Sequence, residues 1–451
     1  MRRKGFLTVV TLGLVLLLSG CFSKTAEDLF SLPKMPQDYV DLDNTINAVL
    51  SELGAEYAAP RTGDNTAPVQ LQDLDGDGAS ESTIAFFRVN SGEQQLKIYI
   101  FHQNQDGTYE VAYTIEGSGI AINSVDYVDL DGNGTKEIVV SWQQSSRLYT
   151  LVPYQLGVTD AIELMVPASY NLGYIDCDLD RDNRRELLLF QSSETDPTEK
   201  WAEYYVYADG QMLRSATALL SLDAGTDTSI REGYLKDNIP AVYITTKTDN
   251  LAVTDVFALQ DGILTNITLN ERTGNSTQTM RYYTEVSPTD INADGILELP
   301  DPMAVKEYQS TAAAPNFWII RWLQFDVAGN AELVQLTYHN FTDGWYLILP
   351  ESWLGNITIS RDNSQLARGE QAVVFSLWNG DEETEPQEFL RIYRLEGVNQ
   401  ELRAQLGNRF VLQSDNKLIY AAEFFDVGWD CGLDQENLSS HFVLSQTEWT
   451  S

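Results

Sequence analysis

The sequence predicts a mainly β chain, a five-bladed β-propeller followed by a small α+β C-terminal domain. Three observations predict it. An acidic nine-residue pattern occurs four times in one register, each copy runs into apolar β-rich sequence, and the copies lie at multiples of about 50 residues.

The pattern is Asp-x-(Asp/Asn)-x-(Asp/Asn)-(Gly/Asn)-x-x-Glu. Its copies are Asp73, Asp75, Asp77 and Glu81; Asp129, Asp131, Asn133 and Glu137; Asp178, Asp180, Asp182 and Glu186; and Asp290, Asn292, Asp294 and Glu298. Oxygens at positions one, three, five and nine turn inward around one point, while the residues between them turn away. Such a cage suits a hard cation, and Ca²⁺, which takes roughly six to eight oxygens, is the expected cofactor at one ion per copy. Position six is Gly78, Gly134, Asn183 or Gly295, residue types that tolerate positive φ. Position seven (Ala79, Thr135, Arg184 and Ile296) shares no side-chain chemistry, as expected of a ligand that offers only its backbone carbonyl. An EF-hand closes at loop position twelve between helices. Here the closing Glu stands at nine and strand-like runs follow, at 83–87, 138–140 and 187–190.

In chain order, Arg2, Arg3 and Lys4 precede a short apolar stretch that ends in Leu18-Ser19-Gly20-Cys21, so residues 1–20 are expected to be a secretory signal. Residues 21–66 form a tether with a helix over 42–53, where Ile46, Val49, Leu50 and Leu53 share one face. The propeller is expected over 67–340. First-ligand positions are separated by 56, 49 and 112 residues, and the doubled last interval places a fifth, degenerate repeat near 230–244. That repeat keeps its strands and lacks the cage oxygens. The first repeat shows the strand pattern at 69–74, 82–89, 95–102 and 109–116, with turn signals at Asn90-Ser91-Gly92 and Asp106-Gly107. Third strands at 201–208 and 253–259 and a fourth at 331–340 continue it. Four short strands per repeat of this length mean propeller blades. Residues 341–451 lose that rhythm and are read as the α+β domain, with strands at 357–360, 372–378, 389–395 and 418–424 and a helix at 399–406.

The acidic loops resemble the FG-GAP and VCBS repeats of integrin α-type β-propellers. The resemblance implies the fold, and a Ca²⁺ loop joining the first and second strands of a blade. All four copies here close with Glu, where that family commonly uses Asp. The Leu-Ser-Gly-Cys ending resembles the bacterial lipobox, which implies cleavage before Cys21 and lipid on its thiol. The mature chain is then anchored to the outer face of the cell membrane by lipid instead of spanning it.

Formal charge is −37, which argues against nucleic acid and anionic headgroups as direct partners. Fourteen of the carboxylates lie in the four cages. Cys177 alternates away from its cage and is expected to be a buried free thiol, with a Cys177–Cys431 disulfide ranked second. His102, His339 and His441 are scattered singly, and the chain has no nucleophile elbow, phosphate loop or dinucleotide fingerprint. The expected function is an extracellular binding or scaffolding module for protein or glycan. The alternative is a carbohydrate-active hydrolase or lyase with carboxylates in the propeller mouth.

Overall fold

The computed structural model describes residues 37–445 apart from 81, 91, 105, 313, 415 and 416, so the signal, Cys21 and the tether up to residue 36 lie outside the described residues. The chain is mainly β. It divides into two compact parts, one made of residues up to Ala59 with Ala67–Asp73 and Gly78–Gly117, the other of Pro60–Thr66, Leu74–Asp77 and everything from Ser118 on.

In the first part, the helix Gln37–Leu53 starts five residues before the expected 42. Leu42 and Ile46, four apart and so on one face, pack on Ala85, Phe87 and Phe101 of the first sheet. That sheet is antiparallel and runs Glu56–Tyr57, Ser82–Arg88, Leu96–Gln103, Tyr109–Gly117, with Val69–Gln72 also on Ser82–Arg88.

The second part holds five antiparallel sheets in chain order. The second sheet runs Ala121–Val128, Glu137–Gln143, Tyr149–Leu156, and its outer edge is shared by Ala161–Glu163 and Ala168–Tyr170. The third is Gly173–Cys177, Glu186–Ser192, Lys200–Ala208, Gln211–Leu219; the fourth is Asp227–Leu235, Ile239–Thr248, Leu251–Gln260, Ile263–Asn266. The degenerate repeat is thus a complete four-stranded sheet. Its cage is replaced by the short turn Lys236–Asn238.

Period-two alternation stacks these sheets face to face. On the second strand of the third sheet, Leu187 and Leu189 join Val139 and Leu151 of the second sheet. Leu188 and Phe190, on the opposite face, join Val242, Ile244 and Phe257 of the fourth. Tyr243 and Val256 then meet Leu299 and Phe325 of the fifth. A strand buried on both faces reads as a continuous apolar run, which is why Leu187-Leu188-Leu189-Phe190 lacks polar alternation. Cys177 belongs to the core between the third and fourth sheets, and among the described residues Cys177 and Cys431 are free thiols.

The first strands of successive sheets also meet edge to edge. Ser124 Oγ lies 2.7 Å from Tyr174 Oη, between the second and third sheets. The Thr228 hydroxyl, in the fourth sheet, donates to the Leu172 carbonyl at 2.6 Å.

The C-terminal region differs from expectation. The fifth sheet runs Leu299–Ala304, Trp318–Phe325, Ala331–Asn340, Trp345–Leu349, Phe442–Leu444, so the expected boundary at 340/341 falls between two paired strands. Its first strand is reduced to the bridge Thr289–Glu298. The sixth sheet is Ile357–Asp362, Glu370–Leu377, Gln387–Glu396, Leu418–Phe424, Phe410–Ser414. Its Ile357, Ile359, Val373 and Phe375 share one core with Leu336, Tyr338, Trp345 and Leu347 of the fifth, while Tyr393, Leu395 and Ile419 form a smaller cluster of its own. Among the described residues, its α-helices are Gln400–Arg403, inside the expected 399–406, and Gln435–His441. Among the described residues, no helix is long and apolar enough to cross a membrane.

Candidate metal centres

Each acidic loop leads into the second strand of its sheet, and one turn conformation recurs in all four. Positions four and six take positive φ in every copy: Gly76 and Gly78, Gly132 and Gly134, Arg181 and Asn183, Ala293 and Gly295. Arg181 and Ala293 hold this shape despite their Cβ atoms, at a cost on the order of 1 kcal/mol each.

Backbone N–H groups then fix the side-chain oxygens. Position six donates to position one from Gly134 to Asp129 Oδ2 at 3.0 Å and from Gly295 to Asp290 Oδ2 at 2.9 Å. Position five donates to position three from Asn133 to Asp131 at 3.0 Å, from Asp182 to Asp180 at 3.1 Å and from Asp294 to Asn292 at 3.0 Å. The position-seven N–H groups of Thr135, Arg184 and Ile296 donate to position five at 2.6, 2.8 and 2.9 Å. The first loop repeats the turn, with Gly78 N donating to Asp73 Oδ2 at 3.0 Å and Asp77 N to Asp75 Oδ1 at 3.2 Å. Ala79 is exposed, and Glu81 lies outside the described residues.

The closing glutamates are buried. Oε2 of each accepts the position-two N–H at 2.8 Å: Leu130 to Glu137, Leu179 to Glu186, and Ile291 to Glu298. Carboxylate oxygens of Asp129, Asp131 and Glu137 come within 4.8 Å of one another, as do those of Asp178, Asp180, Asp182 and Glu186, and those of Asp290, Asp294 and Glu298. Burial, then the neighbouring aspartates, pushes the carboxyl groups of Glu137 and Glu186 up to about 7, and burial raises Glu298. Asp178 Oδ1 is buried with no hydrogen-bond partner among the described residues. A carboxylate oxygen left so is costly unless a cation meets it. The hard-oxygen donor set and this orphaned atom fit a metal ion, and Ca²⁺ is compatible with both.

The sequence reading overlooked three features. Position two (Leu74, Leu130, Leu179, Ile291) is buried and apolar in every copy, which anchors the loop, and in the last three copies its N–H holds the closing Glu. The shared apolar residue between the first two ligands was the available signal. Secondly, third strands contribute an amide: Gln155 Nε2 donates to Asp131 at 2.8 Å and lies 3.4 Å from Glu137, and Gln324 Nε2 donates to Asp294 and Glu298 at 2.7 Å each. In the third sheet, where Leu187 pairs with Tyr205, the next residue along the third strand is Val206 instead of a glutamine. There a cavity of about 310 Å³ opens beside Asp180, Asp182, Glu186 and Tyr204. Thirdly, position eight ties its loop to the preceding repeat. Lys136 N donates to the Leu74 carbonyl at 2.7 Å, Arg185 N to that of Asp129 at 3.4 Å, and Leu297 N to that of Tyr234 at 3.2 Å.

Of the histidines, His102 is exposed, His441 is half-buried, and His339 is buried among Tyr346, Phe341 and Trp322.

Residues 73–140, from the first ligand of the first loop to just past the closing Glu of the second, match the FG-GAP-like repeat family. No curated protein matches the chain. Among solved structures, the chain is similar to rhamnogalacturonan lyase YesW, at 14% identity over 60% of this chain and 62% of that one with a TM-score of 0.30. A Bacillus licheniformis rhamnogalacturonan lyase matches at 13% identity over 63% and 62%, also with a TM-score of 0.30. The Dos1 propeller matches at 7% identity over 76% of each chain, with a TM-score of 0.26. The chain thus spans about three fifths of the length of those lyases, and superpositions this loose carry no argument about activity.

Proposed function

We propose that this chain is a surface-anchored, Ca²⁺-stabilised β-propeller lipoprotein that binds an extracellular protein or glycan. The observation that carries the reading is the repeated cage, in which a buried closing Glu is held at 2.8 Å by the N–H of position two in three loops. So constant an arrangement of acidic oxygens serves a cation. The carbonyls of Ala79, Thr135, Arg184 and Ile296 complete the shells, and the four cages take four ions. In this reading the first five sheets are blades and the C-terminal sheet is an appended module. Cys21 carries the lipid that holds the protein on the outer face of the cell membrane.

Calorimetric titration of the decalcified chain is expected to show four saturable Ca²⁺ sites, tighter in the loops with three aspartates than in those with Asn133 or Asn292. No saturable uptake overturns the metal assignment. Cys21→Ala is expected to release the chain from membranes or leave an uncleaved precursor. A mature-sized mutant that still fractionates with membranes overturns the anchor.

A hydrolase or lyase would need free carboxylates at a cavity. Asp126 and Asp176 do line one. Asp126 is held by the Tyr174 hydroxyl at 2.5 Å and Asp176 by Arg185 at 2.9 Å, an arrangement suited to binding more than to proton transfer.

A further inference from the structure

The first strands of the second, third and fourth sheets meet at a cavity of about 590 Å³ that is separate from the acidic loops. Asp126 comes from the second sheet, Tyr174 and Asp176 from the third, and Thr228 from the fourth. From this cavity we infer a binding site for a neutral saccharide, which deepens the binding-module reading and rests on it.

The polar groups are fixed before any ligand arrives. Ser124 Oγ lies 2.7 Å from Tyr174 Oη, which donates to Asp126 Oδ2 at 2.5 Å. Tyr170 Oη lies 2.5 Å from Ser141 Oγ and accepts a longer bond from Asn123 Nδ2 at 3.5 Å. Hydroxyls held in this way lose little freedom on binding, and preorganisation of that kind is what a weakly hydrophobic ligand needs. The volume lies within the range of small-molecule sites, roughly 300–1,000 Å³.

Ring faces and charge select the ligand. Tyr149 and Tyr170 stack at 5.2 Å, and Tyr174 meets Tyr170 at 5.3 Å and 69°, so a tyrosine cluster lies beside the carboxylate and amide groups. A pyranose has one face of weakly positive C–H groups that suits the negative face of an aromatic ring, and a rim of hydroxyls that suits carboxylates and amides. Anions are disfavoured, because Asp126 and Asp176 line the cavity and no lysine or arginine is among its described lining residues. The nearby Arg185 is engaged by Asp176 at 2.9 Å and by Glu232 at 2.7 Å. Uronate-rich polymers are therefore poor ligands. A simple cation would use the carboxylates and leave the fixed hydroxyls and Asn123 without a role.

The test is calorimetric titration of the full-length chain in Ca²⁺ with neutral trisaccharides of glucose, galactose, mannose, xylose and N-acetylglucosamine, and with trigalacturonate and tetramethylammonium. Saturable binding of at least one neutral sugar is expected. Asp126→Asn and Tyr174→Phe should weaken it at least about tenfold, the weight of one hydrogen bond to a charged group. Tyr149→Ala, which removes the ring stacked on Tyr170, should weaken it as well. Ca²⁺ uptake should be unchanged in all three. Binding of trigalacturonate or tetramethylammonium alone, of no probe, or of a neutral sugar with equal affinity in all the variants overturns the proposal. Capture of an envelope component by wild type and by Asp126→Asn alike would remove the cavity proposal while the binding-module reading stands. No capture by either would remove the module reading itself.

Discussion

Leu179 and Glu186 are joined by one hydrogen bond, from the Leu179 N–H to Glu186 Oε2 at 2.8 Å, and it ties both ends of the third acidic loop to the core. Leu179 is buried between the third and fourth sheets, and Glu186 begins the strand that carries Leu187 to Phe190. The carboxylate therefore serves the fold through Oε2 and also belongs to the cage, with an oxygen within 4.8 Å of those of Asp178, Asp180 and Asp182.

Two losses are expected from Glu186→Ala. In chelator, the orphaned Leu179 N–H should cost about 1–3 kcal/mol. In Ca²⁺ the loss should be larger, because a ligand of the folded state alone stabilises it in proportion to its affinity. Thermal unfolding in both conditions checks this, and equal losses would mean that the third loop holds no metal. Asp237→Ala, in the turn of the fourth sheet that lacks the other oxygens, should shift both conditions equally.

The third cage should be the wettest. Gln155 and Gln324 cover the second and fourth cages, while Val206 leaves about 310 Å³ open beside the third. With Tb³⁺ in place of Ca²⁺, Val206→Gln is expected to remove about one metal-bound water, since a water occupies about 30 Å³ and the longer side chain takes that space. Emission lifetimes in H₂O and D₂O give the count. An unchanged count would mean that the cavity is not continuous with the ion.

His339 should make stability fall on acidification. Burial holds its imidazole down to about 3, whereas the unfolded chain protonates it near 6.5. Between those values the unfolded state binds the extra proton. The contribution is thus complete above pH 6.5 and is lost as pH drops toward 3, at about 1.4 kcal/mol per pH unit. His339→Gln, which can keep the bond to Thr337, should flatten the slope of unfolding free energy between pH 6 and 4. Equal slopes in variant and wild type would remove the assignment.

A chain ended at Asn340 should not fold as a soluble protein. Trp345–Leu349 and Phe442–Leu444 pair into the fifth sheet, and the core shared with the sixth sheet would be exposed. A soluble, cooperatively unfolding product in denaturant titration would show that residues 341–451 are a separable domain after all.

The sequence alone determined the mainly β class, the repeat, and the register of the acidic loops. These are local properties: ligands at alternate positions of one nine-residue turn, and apolar runs of strand length beside it, are written in adjacent residues. The tertiary structure decided what depends on residues far apart. Gln155 and Gln324 reach cages 18 and 26 residues behind them because strand register, which no single residue encodes, sets the opposing position. Phe442–Leu444 returns to a sheet begun at Leu299, and Asp126, Tyr174 and Thr228 meet at one cavity from three repeats. Such contacts are chosen by which buried faces fit together, and that energy exists only once the sheets have stacked.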